Sequence, residues 1–175
     1  DACQPEEKGY CYARSLLLLL SKSDPKRGLS GLIALAEQND ERAIKALIEY
    51  YKEQYDFQNA AQWSSSLATL TQKDIDRFSA ADLCFSIGEY DQSLAWYQQI
   101  EKPTEVMKYN QDRVLVEIEN LEKLQIAAQK GEWEAAEQLY YIYDQNNNRT
   151  AAIALLTPFV ENDISIDLSL DPNIS

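Results

Sequence analysis

The chain has 175 residues, 16 basic and 29 acidic side chains, a formal net charge of −13 and no histidine. A nucleic-acid binder needs a positive footprint to displace phosphate counterions, so this balance argues against nucleic acid and disfavours anionic membranes; a basic protein partner would be steered in. The hydrophobic fraction of 45% suits an ordinary core, while five Gly and five Pro are few for a loop-rich or all-β protein.

Residues 1–9 read as an extended or turn-forming arm, and the start at Asp1-Ala2-Cys3, with no Met and no signal-peptide pattern, is expected of a mature or trimmed form. Helical character begins near Tyr10 and runs to Ser21. The leucine run inside it, Leu16 to Leu20, falls far short of the roughly 20 apolar residues that cross a bilayer, so no membrane span is expected. Asp24-Pro25 supplies a cap and a first-turn proline for a second helix, which carries Leu29, Leu32, Ile33, Leu35 and Ala36 and ends near Asn39. A third helix spans 41–53, with Ala43, Ile44, Leu47, Ile48 and Tyr51 at the 3.6-residue period, and a fourth spans 56–70. A fifth, from Thr71 or Asp74 to Ile87, is broken by Gly88.

The sixth helix, from Asp91, is expected to run to Lys102, stopping before Pro103. A long stretch from Thr104 to Lys130 follows, with a candidate kink at Tyr109-Asn110, and Gly131 ends it. Helices over 133–144 and 150–160 close the set, the last perturbed by Pro158. Beyond it, Ile164, Ile166, Leu168 and Leu170 alternate strictly, which predicts an extended tail over 163–175 that either caps the last helix, the favoured use, or adds a strand to a partner. The reading is therefore a helical repeat domain over 10–162 between an arm and a tail.

Three cysteines occur. Cys3 and Cys11 lie eight apart across Pro5 and Gly9, close enough to pair; such a bridge would add about 2–3 kcal/mol and imply an oxidising compartment. Cys84 sits in an apolar helical pattern and reads as a buried small hydrophobe.

The chain also repeats itself. Gly88-Glu89-Tyr90 matches Gly131-Glu132-Trp133, and continuing the register sets Ser93 on Ala136 and Tyr97 on Tyr140. Gly tolerates the turn, the aromatic packs on the preceding helix, and the small residue lets two backbones approach. A looser third copy pairs Tyr55-Asp56 with Tyr90-Asp91 and Ala60 with Ala95, with no glycine in the turn between Tyr51 and Asp56. Units of this kind bury their apolar faces only against neighbours.

These residues, with Asp24-Pro25, Leu29, Leu32, the run 35–40, Ala43, Leu47, Tyr50-Tyr51, Asp56, Ala60-Ala61 and Trp63, resemble the Sel1-like and tetratricopeptide families. The resemblance covers most of residues 24–160. It implies an all-α, right-handed-type solenoid of antiparallel helix pairs, with about 7–9 helices and a short extended C-terminal tail. It also implies a protein-interaction scaffold, and Sel1-like proteins include extracytoplasmic bacterial immunity proteins that block secreted toxins. In such solenoids the first helix of each pair lines the concave face, which implies Glu49, Asp82, Glu119 and Glu122 as contacts to basic residues of a partner.

Chemistry is sparse in this chain. Without histidine the usual general base, the serine and cysteine triads and the commonest metal ligand are missing. Glu117/Glu119 and Glu132/Glu134 stand two apart, on different faces of a helix. Asp163, Asp167 and Asp171 lack the spacing of a calcium loop, and no glycine-rich phosphate loop appears. No enzyme activity, metal or cofactor is expected. Adjacent tyrosines on a helix differ by about 100° in direction, so Tyr50-Tyr51 and Tyr140-Tyr141 should each leave one ring exposed. Tyr50 and Tyr141 are the candidates for partner contact, as exposed aromatics at hot spots often are.

Overall fold

The computed structural model describes residues 7–146 and 148–161, with the backbone alone at 160 and 161. The Cys3–Cys11 pairing and the extended tail over 163–175 lie outside the described residues. Nine α-helices follow one another among the described residues, with no strand: α1 Lys8–Leu20, α2 Pro25–Ala36, α3 Glu41–Glu53, α4 Phe57–Thr71, α5 Asp74–Ser86, α6 Tyr90–Gln98, α7 Glu105–Gln129, α8 Trp133–Gln145 and α9 Arg149–Glu161. This is the all-α architecture expected: α1 to α6 each pack against their neighbours in sequence order, as in a solenoid, and α8 packs on α9. The arm is shorter than its expected nine residues, because Lys8 and Gly9 are already helical.

Caps fix many of the helix starts. The Asp24 carboxylate accepts from Arg27 N–H at 3.1 Å ahead of Pro25, Asp40 accepts from Arg42 and Ala43 N–H, and Asp56 accepts from Asn59 N–H at 3.1 Å. Each satisfies donors that the first turn cannot pair internally. α7 runs without interruption through Tyr109 and Asn110, and Pro158 is accommodated inside α9.

Four turns share one geometry. Asn39, Tyr55, Gly88 and Gly131 have φ of 62°, 58°, 76° and 90°. The next residue's N–H returns to the carbonyl five back: Asp40 to Leu35, Asp56 to Tyr51, Glu89 to Cys84 and Glu132 to Ala127, at 2.9–3.1 Å. This is the Schellman closure, in which a left-handed residue lets the chain reverse after the helix. The repeat is thus a left-handed residue followed by an acidic one. Its register corrects the sequence alignment: Tyr55 corresponds to Gly88, so Ala60 corresponds to Ser93 and not to the exposed Ala95. Ala60, Ser93 and Ala136 are all fully buried. The aromatic step divides: Tyr90 packs on Phe85 of the preceding helix, centroids 5.4 Å apart, but Trp133 packs on Phe159 of α9 at 5.6 Å.

The sixth helix stops at Gln98, four residues short of its expected end. The Glu101 and Lys102 N–H groups donate to the Asp74 carboxylate at 3.1 and 3.0 Å, and Arg77 donates to the Gln99 carbonyl at 2.8 Å. The segment is captured by α5 instead of continuing its own ladder.

The chain divides within α7 into two compact units, 1–115 and 116–175. In the first, Leu32, Leu35, Ile44 and Leu47 are essentially inaccessible and are joined by Leu19, Ala43, Ile48 and Leu67. Each large side chain so buried contributes about 1.5–3 kcal/mol. α4 and α5 pack together, and what they bury is mostly small: Ala60, Ala61, Ser64 and Ala68 on one helix and Ala80, Ala81 and Cys84 on the other. Ser93 Oγ donates to the Ala81 carbonyl at 2.8 Å, tying α6 to α5. In the second unit, Ala128, Ala135, Ala136, Leu139 and Phe159 form the core, with Leu121, Leu124 and Trp133 packed around it.

Candidate protein-interaction surface

Alternate helices of the first unit touch sideways. The Arg42 guanidinium of α3 lies 5.0 Å from the centre of the Tyr12 ring of α1, and Glu41 of α3 pairs with Lys73, just ahead of α5, at 3.4 Å. So α1, α3 and α5 form one layer, as the first helices of stacked hairpins do. Arg42 is also held by Asp40, at 2.8 Å, and this bond keeps the Asp40 carboxyl below the usual aspartate range.

The expected partner residues fall in both units. On the first, Glu49 is exposed and paired with Lys52 at 3.0 Å, and Asp82 is exposed on α5. Tyr50 departs from expectation: it is half-buried against the first core, edge-on to the equally half-buried Tyr51 at 5.3 Å. α3 packs against α2 and α4 and also meets α1, so its apolar arc is wide enough to hold both rings. On the second unit, Glu119 is exposed and paired with Lys123 at 2.7 Å, which lowers its pKa, and Glu122 is exposed. Tyr141 is 56% exposed beside a half-buried Tyr140, the division the sequence predicts for that pair.

The sequence reading missed the outer face of α1. Tyr10, Leu17 and Leu20 are 68%, 67% and 69% exposed, and Ala13 between them is exposed too. The spacing 10, 13, 17, 20 is that of a helix–helix seam. Ser15 and Leu19, on the opposite side, are buried. The signal was present in the leucine run: five consecutive leucines point in every direction around a helix, so some must face outward unless the helix is enclosed.

Beside this row lies an open groove of about 350 Å³ between α1 and α2, lined by Arg14, Leu18, Arg27, Ser30, Ala34 and Gln38. The two helices meet closely at Gly28 and Gly31. A methyl group at Gly28 would lie 2.7 Å from the Leu19 nitrogen and the Ser15 carbonyl oxygen, and one at Gly31 would overlap Ser15 Oγ.

A second recess, about 290 Å³, is lined by Gln58, Gln62, Ser65, Cys84, Glu89 and Gln92. Cys84 is free and buried as expected, and burial pushes its thiol pKa up, so it is held as the unreactive thiol. Among the described residues no group of three or more Cys, Asp or Glu could hold a metal ion, and no helix is long and apolar enough to cross a membrane. No protein-family model, curated protein or solved structure matches this chain.

Proposed function

We propose that this chain is a non-enzymatic protein-binding module of the Sel1-like or tetratricopeptide-like kind. The observation that carries the reading is the lateral contact of α1, α3 and α5, marked by Arg42 on Tyr12 and Glu41 on Lys73. A layer of first helices is the surface that stacked hairpins offer to a partner, and here it carries the exposed carboxylates of Glu49 and Asp82. With a net charge of −13, a basic partner is favoured by long-range attraction.

The finer reading is an extracytoplasmic bacterial immunity or inhibitor protein that neutralises a secreted effector. The alternative is an adaptor in envelope assembly or secretion. A Cys3–Cys11 disulfide belongs to both, since both act in an oxidising compartment. Three free thiols in denatured, unreduced protein from its native source would remove the disulfide and that compartment with it.

The test of the module is capture of a partner from the source organism, followed by titration of the purified pair. A one-to-one complex that weakens with salt, and weakens further in Glu49→Lys/Asp82→Lys, is expected. An affinity indifferent to salt and to that double variant would overturn the reading.

A further inference from the structure

The charge of this protein is not evenly spread. Residues 7–27 hold five cations, Lys8, Arg14, Lys22, Lys26 and Arg27, against two carboxylates, Glu7 and Asp24. The Asp24 carboxylate is turned to the Arg27 backbone as the cap of α2. Residues 28–175 hold 11 basic against 25 acidic side chains.

Pairing divides the same way. Among the described residues, none of the five cations of 7–27 forms an ion pair. Arg42, Lys45, Lys52, Lys73, Arg77, Lys108, Lys123 and Arg149 all do. Five of the eight cations without an ion pair among the described residues thus fall on the α1–α2 hairpin, while the other three, Lys102, Arg113 and Lys130, are scattered along the rest of the chain.

The α1–α2 edge also carries the bare row Tyr10, Ala13, Leu17 and Leu20. Arg14 lies between the row and the groove, and Arg27 stands across the groove on α2. The surface therefore combines a seam at helix spacing with guanidinium groups alongside, which hold carboxylates bidentately.

We propose that the α1–α2 edge is a second docking surface that takes an acidic amphipathic helix from a partner protein. The apolar stripe of that helix lies on Tyr10, Leu17 and Leu20, and its carboxylates meet Arg14 and Arg27. An anionic lipid surface fits less well: a plane cannot enter the groove, and the acidic residues 28–175 would be repelled by it. With an acidic remainder suited to basic partners and a basic edge suited to acidic ones, the molecule is built to bridge two proteins, which favours the adaptor role.

The test uses two labelled synthetic helices with one leucine stripe, one with Glu and the other with Lys at the remaining positions, titrated by fluorescence anisotropy into the whole protein. The Glu helix is expected to bind at least about tenfold more tightly than the Lys helix. Arg14→Glu/Arg27→Glu should erase or reverse that preference, and Leu17→Glu should remove binding of both. All three positions are exposed, and circular dichroism checks that the variants remain helical. Equal binding of the two helices, binding of neither, or a preference untouched by Arg14→Glu/Arg27→Glu would overturn the proposal. So would Leu17-dependent capture by phosphatidylglycerol vesicles, which assigns the edge to lipid, or Leu17-dependent self-association in sedimentation, which assigns it to a second copy. Each titration is repeated in the Glu49→Gln/Asp82→Asn background, so that binding of the Lys helix to that surface is separated from binding at the α1–α2 edge and the two readings fail independently.

Discussion

Asp74 and Arg77, one turn apart on α5, meet at 3.2 Å and together hold the segment that follows α6. Asp74 takes its two N–H groups and Arg77 its Gln99 carbonyl. The hydrogen bonds from Glu101 and Lys102, and then Arg77, keep the Asp74 carboxyl below its ordinary range. A carboxyl whose pKa falls on folding stabilises the fold fully above its unfolded value, near 4, and loses that contribution as the pH drops through its lower folded value. Thermal melts between pH 7 and pH 2 should show this loss. Asp74→Asn should be less stable at pH 7 and flatter across the acid range, and an unchanged pH slope would remove the clamp from the account.

Gly28 and Gly31 make separable demands on the α1–α2 contact. Gly28→Ala drives a methyl into backbone and should cost about 1–3 kcal/mol, with no relief from a second substitution. Gly31→Ala meets chiefly the Ser15 side chain, so Ser15→Ala should recover part of its loss. Urea titrations of the single and double variants measure both. Equal, additive losses would show that the helices are not held at this separation.

Tyr55 occupies a left-handed position that costs a side-chain-bearing residue about 1–2 kcal/mol. Its ring is 83% exposed and touches Phe57 edge-on at 6.4 Å. Tyr55→Gly should therefore stabilise by a net of about 0.5–1 kcal/mol, after loss of the ring contact. A lower melting temperature would mean that the Phe57 contact outweighs the backbone strain.

Ser64 is fully buried on α4 with its hydroxyl unpartnered. Removing an unsatisfied polar atom should help, so Ser64→Ala is expected to gain about 1 kcal/mol. Ser93→Ala, which removes the donor to the Ala81 carbonyl, should lose a similar amount. The two serines sit at equal burial, so the difference in sign is the informative quantity.

Much of this fold was legible because it is local. Asp24-Pro25, Asp40 and Asp56 announce helix starts, and the spacing of Ala43, Ile44, Leu47 and Ile48 announces a buried face. The hidden parts depend on contacts far apart in the chain or on unusual residues. Asn39 and Tyr55 do the work of glycine, so a search for glycine missed two of the four turns and set the third copy two residues out of register. The acidic residue after each turn was the better marker. α6 ends early because the segment after it is held by a carboxylate 27 residues before Glu101, which no local pattern reports. Tyr50 is sheltered because α3 has neighbours on several sides, while α1 keeps a bare row because the side away from α2 and α3 has none among the described residues. Periodicity says which face of a helix is apolar, not how many helices will arrive to cover it.

Cys84 gives the molecule a timer. Its thiol is 1% exposed, set where α4, α5 and α6 converge, and a soluble thiol reagent can reach it only when those helices part. The rate of labelling under native conditions therefore counts the openings of this part of the first unit, independently of the second. A bound partner that braces the hairpins would slow that clock without touching the sulfur.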